Sequence, residues 1–218
     1  MPWFYYVARA IVWILFNLLT HRQVIGRENV PSQGPLLVVA NHLNLSDPPL
    51  LGISLGRKVI FMAKEGLFRS KLSSYFMRGF GAFPVNREQL TKQALRQAQQ
   101  VLAEGLALVI FPEGARSHNT QLQPALSGSA LIACRQRVPI LPVGITGTER
   151  IKGIAWLVHR PQITVSIGRP FYLPPVNGKL TKDELAQLTD DIMEHIAELL
   201  PQEYQGNYRR EEAARHEN

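Results

Sequence analysis

A chain of 218 residues fits one domain, at roughly 100–200 residues each, and can bury about 70% of its unfolded surface without a metal or disulfide staple. Hydrophobic residues make up 45% and charged residues 19%, which excludes a mostly disordered chain, and 16 Gly and 15 Pro without a period exclude collagen-like and low-complexity readings. Lys and Arg outnumber Asp and Glu by 24 to 17, a formal charge of +7 that favours polyanionic partners: nucleic acid, a lipid-phosphate surface or a phosphorylated substrate. The single cysteine, Cys134, excludes an intramolecular disulfide and Cys-rich zinc sites, and suits an intracellular chain.

Phe4–Leu19 reads FYYVARAIVWILFNLL, with only Arg9 and Asn17 strongly polar. The run is short of the ~20 apolar residues of a spanning helix. It also lacks the basic stretch before and the small residues after that mark a secretory signal. Trp3, Tyr5, Tyr6 and Trp13 suit the water–lipid boundary. The run reads as a helix lying in one leaflet; a buried core helix and a spanning anchor are the alternatives.

Gly26 and Pro31–Pro35 separate this stretch from the globular part. Leu36–Ala40 (LLVVA) reads as a strand buried on both faces. Asp47-Pro48-Pro49 predicts a helix opened by a capping carboxylate and stopped at Gly56. Val59–Met62 predicts a strand, Thr91–Gly105 a helix and Leu106–Phe111 a second buried strand. A short helix over Ser129–Arg135 precedes strands at Ile140–Ile145 and Ile163–Ile167. Thr181 and Glu184 form a capping box ahead of Leu185, Leu188, Ile192, Ile196 and Leu199 at helical spacing. The alternation predicts an α/β fold, a mostly parallel or mixed sheet flanked by helices, with the N-terminal segment membrane-associated. The expected parts are residues 1–25 as that segment, 26–205 as the globular domain and 206–218 as a polar, flexible tail.

In such sheets, sites lie beyond the carboxyl ends of strands, and two clusters fall there. The first is Asn41–Asp47. A histidine takes a proton from a hydroxyl near neutral pH when a partner fixes its tautomer, and Asp47 can be that partner for His42. Residues five apart point about 140° away from each other on a helix, so the pair needs a turn. The bland reading makes His42 a core histidine and Asp47 only a helix cap. A metal reading could add Glu113 but finds no third nitrogen or sulfur ligand. The second cluster is Phe111–Ser117. Gly114 permits close backbone approach, Arg116 can grip a phosphate in a bidentate fork, and Glu113 can accept from a hydroxyl or hold a cation. Here the bland reading is a solvated turn with an ion pair. Lys64 and Arg87 each close a short apolar run, and two cations beside a histidine would make a phosphate pocket. Val138–Pro142 reads as a rigid edge strand.

Asn41–Asp47 (NHLNLSD), Gly81–Arg87 (GAFPVNR), Phe111–Ser117 (FPEGARS) and Val138–Pro142 (VPILP), in this order, resemble the four blocks of the glycerolipid acyltransferase family. The resemblance covers about Gly26 to Pro170. The best-known members are the 1-acyl-sn-glycerol-3-phosphate (lysophosphatidic acid) acyltransferases. Ala115 replaces the usual Thr, and Pro84-Val85 the usual Ile pair. The resemblance implies His42 as general base, oriented by Asp47. It implies Lys64, Arg87 and Arg116 on the acceptor's phosphate, with Glu113 and Gly114 shaping that pocket. The acyl donor would be acyl-CoA or acyl carrier protein, with no metal or redox cofactor. The acceptor would be lysophosphatidic acid among membrane lipids, on the cytoplasmic face of the cell membrane without crossing it. Glycerol 3-phosphate or another lysophospholipid is the alternative acceptor, although the short chain favours the lysophosphatidic acid type. A non-catalytic basic module for membrane or nucleic acid is the alternative class. No helix-turn-helix, RNP-like or zinc pattern is present, which argues against nucleic acid.

Overall fold

The computed structural model describes residues 4–85, 91–175 and 180–209. Among these, one seven-stranded sheet carries the fold, in the order β1–β7–β6–β2–β5–β3–β4. The strands are β1 (His21–Ile25), β2 (Leu36–Ala40), β3 (Val59–Lys64), β4 (Ala82–Val85), β5 (Ala107–Ile110), β6 (Ile140–Thr146) and β7 (Gln162–Ile167). Only the β6–β7 pair is antiparallel, so β1 and β7 run against the other five and the sheet is mixed.

The apolar runs become the central strands because the sheet is covered on both faces. All five residues of β2 are buried. Leu36, Val38 and Ala40 face one core and Leu37 and Val39 the other. On the first face lie α1 (Phe4–Leu19), through Val12 and Phe16, and α2 (Asp47–Ser54), through Leu50, Leu51 and Ile53. On the second lie α4 (Lys92–Ala103), α5 (Gly128–Gln136) and α7 (Lys182–Ala197). The remaining helices are α3 (Lys71–Gly79), beside β4, and α6 (Trp156–His159). The capping box of α7 is formed: Thr181 Oγ1 accepts from the Glu184 amide, and the Glu184 carboxylate accepts from the Thr181 amide.

Four expectations need correction. His21–Ile25 is not part of the N-terminal segment; it pairs with β7 as an edge strand of the sheet. Residues 206–209 are not a loose tail, and the rest of the expected tail, 210–218, lies outside the described residues. Gln202–Tyr204 and Gly206–Tyr208 form single 3-10 turns, and the Tyr204 carbonyl accepts from the Leu122 amide at 2.8 Å. Val138–Pro142 leads into an interior strand rather than an edge. Pro142 is tolerated there because the β6–β7 ladder slips by one residue at that point. Val143 pairs with Ile167 but Ile140 with Phe171, and the missing N–H falls in the gap between them. Tyr5 is buried rather than at a lipid boundary, whereas Tyr6 and Trp13 are exposed; Trp3 lies outside the described residues.

Candidate active site

β2 delivers its last side chains to the carboxyl edge of the sheet, and Asn41 anchors the chain as it leaves the strand. Its Nδ2 donates to the Ile145 carbonyl at 2.8 Å, and its Oδ1 accepts from the Ile145 amide at 2.7 Å. The amide side chain thus extends the β2–β6 ladder by one backbone-like step, 104 residues away in sequence. His42 is the next residue.

Asp47 closes the turn that the spacing demanded, though not as a cap of its own helix. It is the first residue of α2, after Ser46 at the N-cap. Its Oδ2 accepts from the backbone amides of Leu43 at 2.7 Å and Asn44 at 2.8 Å, and lies 2.8 Å from His42 Nδ1. One oxygen therefore organises the whole His42–Asp47 turn. With Nδ1 held by a fully buried carboxylate, that nitrogen carries the proton and Nε2 is left as the basic atom. The ring stacks on Phe111, with centroids 4.2 Å apart and planes 22° from parallel.

Phe111–Ser117 comes after β5, the neighbour of β2, and is fastened to the histidine turn twice. Glu113 Oε1 accepts from the His42 amide at 2.8 Å, and the Ser117 amide donates to the His42 carbonyl at 2.8 Å. Glu113 Oε2 accepts from the Gln123 amide at 2.9 Å. The bland reading of Glu113 in an ion pair is corrected here. Its carboxyl turns inward onto two backbone amides, and among the described residues it has no ion pair with Arg116. Gly114 turns the chain between them at φ +66. Burial pushes the Glu113 carboxyl up to about 7; the two amide bonds oppose the shift and the nearby Asp47 charge adds to it.

His42 opens onto a cavity of about 1030 Å³ lined largely by apolar side chains of α1, α2, β3 and α5. Lys64, at the end of β3, Arg116 and Gly114 all line it. Both cations are exposed. Arg87 lies outside the described residues. Arg9 also lines the cavity, beside Tyr5 and Val12. Asn41, Arg9 and Ser129 are the cavity or framework residues that sequence reasoning missed. Asn41 stood within the first block, but its partner lies in a distant strand. Among the described residues, no group of three His, Cys, Asp or Glu side chains could hold a metal ion.

A family model described as Acyltransferase matches residues 21–146. The 1-acyl-sn-glycerol-3-phosphate acyltransferase of Streptococcus pneumoniae is 28% identical over 203 residues, spanning 92% of this chain and 71% of that protein. The enzyme of the same name from Bacillus subtilis is 27% identical over 187 residues, spanning 85% of this chain and 92% of its own length. The crystal structure of the 1-acyl-sn-glycerophosphate (LPA) acyltransferase from Thermotoga maritima superposes with a TM-score of 0.66 at 27% identity. That match covers 86% of this chain and 76% of the other.

The geometry predicts two outcomes. Asn41→Ala removes two buried hydrogen bonds and strands the Ile145 amide and carbonyl, a cost of about 1–3 kcal/mol for each orphaned group. The variant should unfold at a clearly lower urea midpoint than the native chain. Glu113 sets a pH dependence. Its folded pKa of about 7 lies above the usual 4.5, so the folded state holds the proton more tightly than the unfolded chain. Its contribution to stability is therefore complete below about pH 4.5 and falls as pH rises through about 7, by up to ~3 kcal/mol. His42, Asp47 and Tyr208 face the same carboxyl. Urea unfolding between pH 4.5 and 8 should show this fall in the native chain and a much smaller one in Glu113→Gln.

Proposed function

This chain belongs to the acyltransferase family, and we propose that it moves a fatty acyl group from a thioester to the free hydroxyl of 1-acyl-sn-glycerol 3-phosphate, giving phosphatidic acid for phospholipid synthesis. The observation that carries the reading is the 2.8 Å contact between His42 Nδ1 and Asp47 Oδ2 at the wall of a large apolar cavity rimmed by cations. Such a cavity suits acyl chains, its cations suit a phosphate, and the histidine suits a hydroxyl between them. The names of the relatives from Streptococcus pneumoniae and Bacillus subtilis support the same acceptor.

The acceptor hydroxyl gives its proton to His42 Nε2 as its oxygen attacks the thioester carbon. Asp47 stabilises the imidazolium that forms. The tetrahedral intermediate collapses, the C–S bond breaks, and the sulfur leaves as a thiol after taking the proton back from His42. The ester is formed in one transfer, with no acyl-enzyme. Acyl-CoA and acyl carrier protein both present the required thioester, and the reading needs no metal or redox group. Lys64 and Arg116 hold the acceptor's phosphate, joined by Arg87 on the strength of its sequence block. Gly114 lets the Arg116 loop lie close to the cavity wall. Glu113 is a positioning residue that braces the His42 backbone.

The enzyme works at the cytoplasmic face of a membrane, held by α1 without crossing it. Among the described residues no helix is long and apolar enough to span. The 16 residues of α1 reach about 24 Å at 1.5 Å each, short of the roughly 30 Å hydrocarbon core. Its inner stripe packs on α2 while Tyr6, Ile11, Trp13, Ile14 and Leu18 face outward, each more than half exposed.

His42→Ala should lower acyl transfer about 10²–10⁴-fold with an unchanged melting profile, read as free thiol released from acyl-CoA. Retention of more than a tenth of the native kcat would remove His42 as the base. Asp47→Asn should also fall sharply, through the wrong tautomer. Replacing Ile11, Ile14 and Leu18 together by Gln leaves the inner stripe of α1 in place. That variant should lose flotation with anionic vesicles at high salt, where charge attraction is screened. Full flotation of the triple variant would show that α1 is not the anchor.

A further inference from the structure

The mechanism leaves unused a set of donors on the wall of the cavity onto which His42 opens. α5 begins with Ser127-Gly128-Ser129, and all three residues line the cavity with Gly114 and Arg116. The helix has nine residues, and its N-cap, Ser127, places no side-chain hydrogen bond on the helix amides. The first-turn amides of Gly128, Ser129 and Ala130 have no partner within the helix by its geometry. No other described residue supplies them with a backbone acceptor. Ser129 and Ala130 are nevertheless 1% and 0% exposed. The Ser129 hydroxyl is itself buried without a partner. A buried donor left unmade is costly, so this group of donors calls for an acceptor from the cavity side.

The loop that carries Arg116 is tied to the same place. The Leu126 amide donates to the Pro112 carbonyl at 2.8 Å. At Gly114 a Cβ would lie 2.6 Å from Leu126 Cδ1, so the Leu126 side chain packs directly over the glycine, whose φ of +66 disfavours any side chain. The two segments thus form one wall, with a guanidinium and a helix start aimed into one space. A helix N-terminus carries about half a positive charge, and its amides point at whatever anion sits there.

We propose that the N-terminal end of α5, with the Ser129 hydroxyl, seats the phosphate of the acceptor lipid, sharing it with Arg116. This rests on the reading that the acceptor is a phosphate monoester. Three amides and a hydroxyl are more donors than a single developing thioester oxygen can take, whereas a phosphate monoester presents three charged oxygens. The site fixes one end of the acceptor and leaves its free hydroxyl to reach His42.

The test uses the full chain in detergent with Ser129→Ala, which removes only the hydroxyl, and Ser129→Asp. The second places a carboxylate in the first turn of a helix, where the helix itself favours it, and in the position the phosphate would occupy. Ser129→Ala should raise the KM for 1-acyl-sn-glycerol 3-phosphate about tenfold, the scale of one hydrogen bond to a charged group, and leave the KM for acyl-CoA unchanged. Ser129→Asp should raise the acceptor KM further, again sparing the donor. In parallel, millimolar glycerol 3-phosphate should raise the melting temperature of the native chain and not that of Ser129→Asp. An acceptor KM unmoved by both substitutions, or a fall in kcat with both KM values constant, overturns the phosphate seat. Phosphate protection that Ser129→Asp abolishes, in a chain without acyl transfer, sustains the seat and sinks the proposed reaction. Transfer with an acceptor KM indifferent to residue 129 does the reverse.

Discussion

One oxygen atom, Asp47 Oδ2, organises this site. It is fully buried and gathers the Leu43 and Asn44 amides and the His42 imidazole within 2.8 Å. Charge-assisted bonds of this kind are worth about twice a neutral one. They compensate for placing a carboxylate where no water reaches it. The four intervening residues are what a turn needs to bring two amides and a ring nitrogen onto one acceptor. A regular helix would send the two side chains apart, and a longer loop would lose the amides. The spacing is thus a property of the carboxylate's coordination rather than of the helix that starts there.

Around that atom the chain holds His42 on every side except the cavity. Asn41 pins the residue before it to β6. Glu113 takes its amide, Ser117 donates to its carbonyl, and Phe111 covers one ring face. The two carboxyls near the histidine are not equivalent. Asp47 receives three donors on one oxygen; Glu113 receives one amide on each oxygen and feels the Asp47 charge as well. Burial with weaker compensation pushes Glu113 toward the neutral form. This leaves Asp47 as the dominant electrostatic partner of the ring and spares the cavity a second negative charge.

Burial decided which parts of the structure were legible in the sequence. LLVVA and LALVIF announced β2 and β5 because strands covered on both faces are apolar throughout. The His42–Asp47 pairing was legible because a fixed spacing stood at a strand end. β1 was missed because HRQVI is an edge strand with alternating exposure and three polar residues. β4 carries Pro84 and lies at the other edge. Pro142 looks like an edge marker in the sequence because the slip that accommodates it is made with Ile167 of β7 and with Phe171 beyond the end of that strand. Glu113 and Arg116 looked like a pair because sequence separation carries no direction. Gly114, at positive φ, turns one inward and leaves the other at the cavity.

α1 joins two requirements that composition alone had treated as alternatives. Its inner stripe of Tyr5, Val12 and Phe16 makes it a core helix, while its outer face remains apolar and exposed. A helix apolar all round belongs either inside a protein or in lipid, and this one has one face in each setting under the proposed function. Tyr5, Arg9 and Val12 are also wall of the cavity onto which His42 opens. The surface proposed to meet the lipid and the wall of the reaction chamber are therefore opposite faces of the same helix, about 10 Å thick. Arg9 lies on the cavity side of this helix. At the cavity it adds a third cation to Lys64 and Arg116.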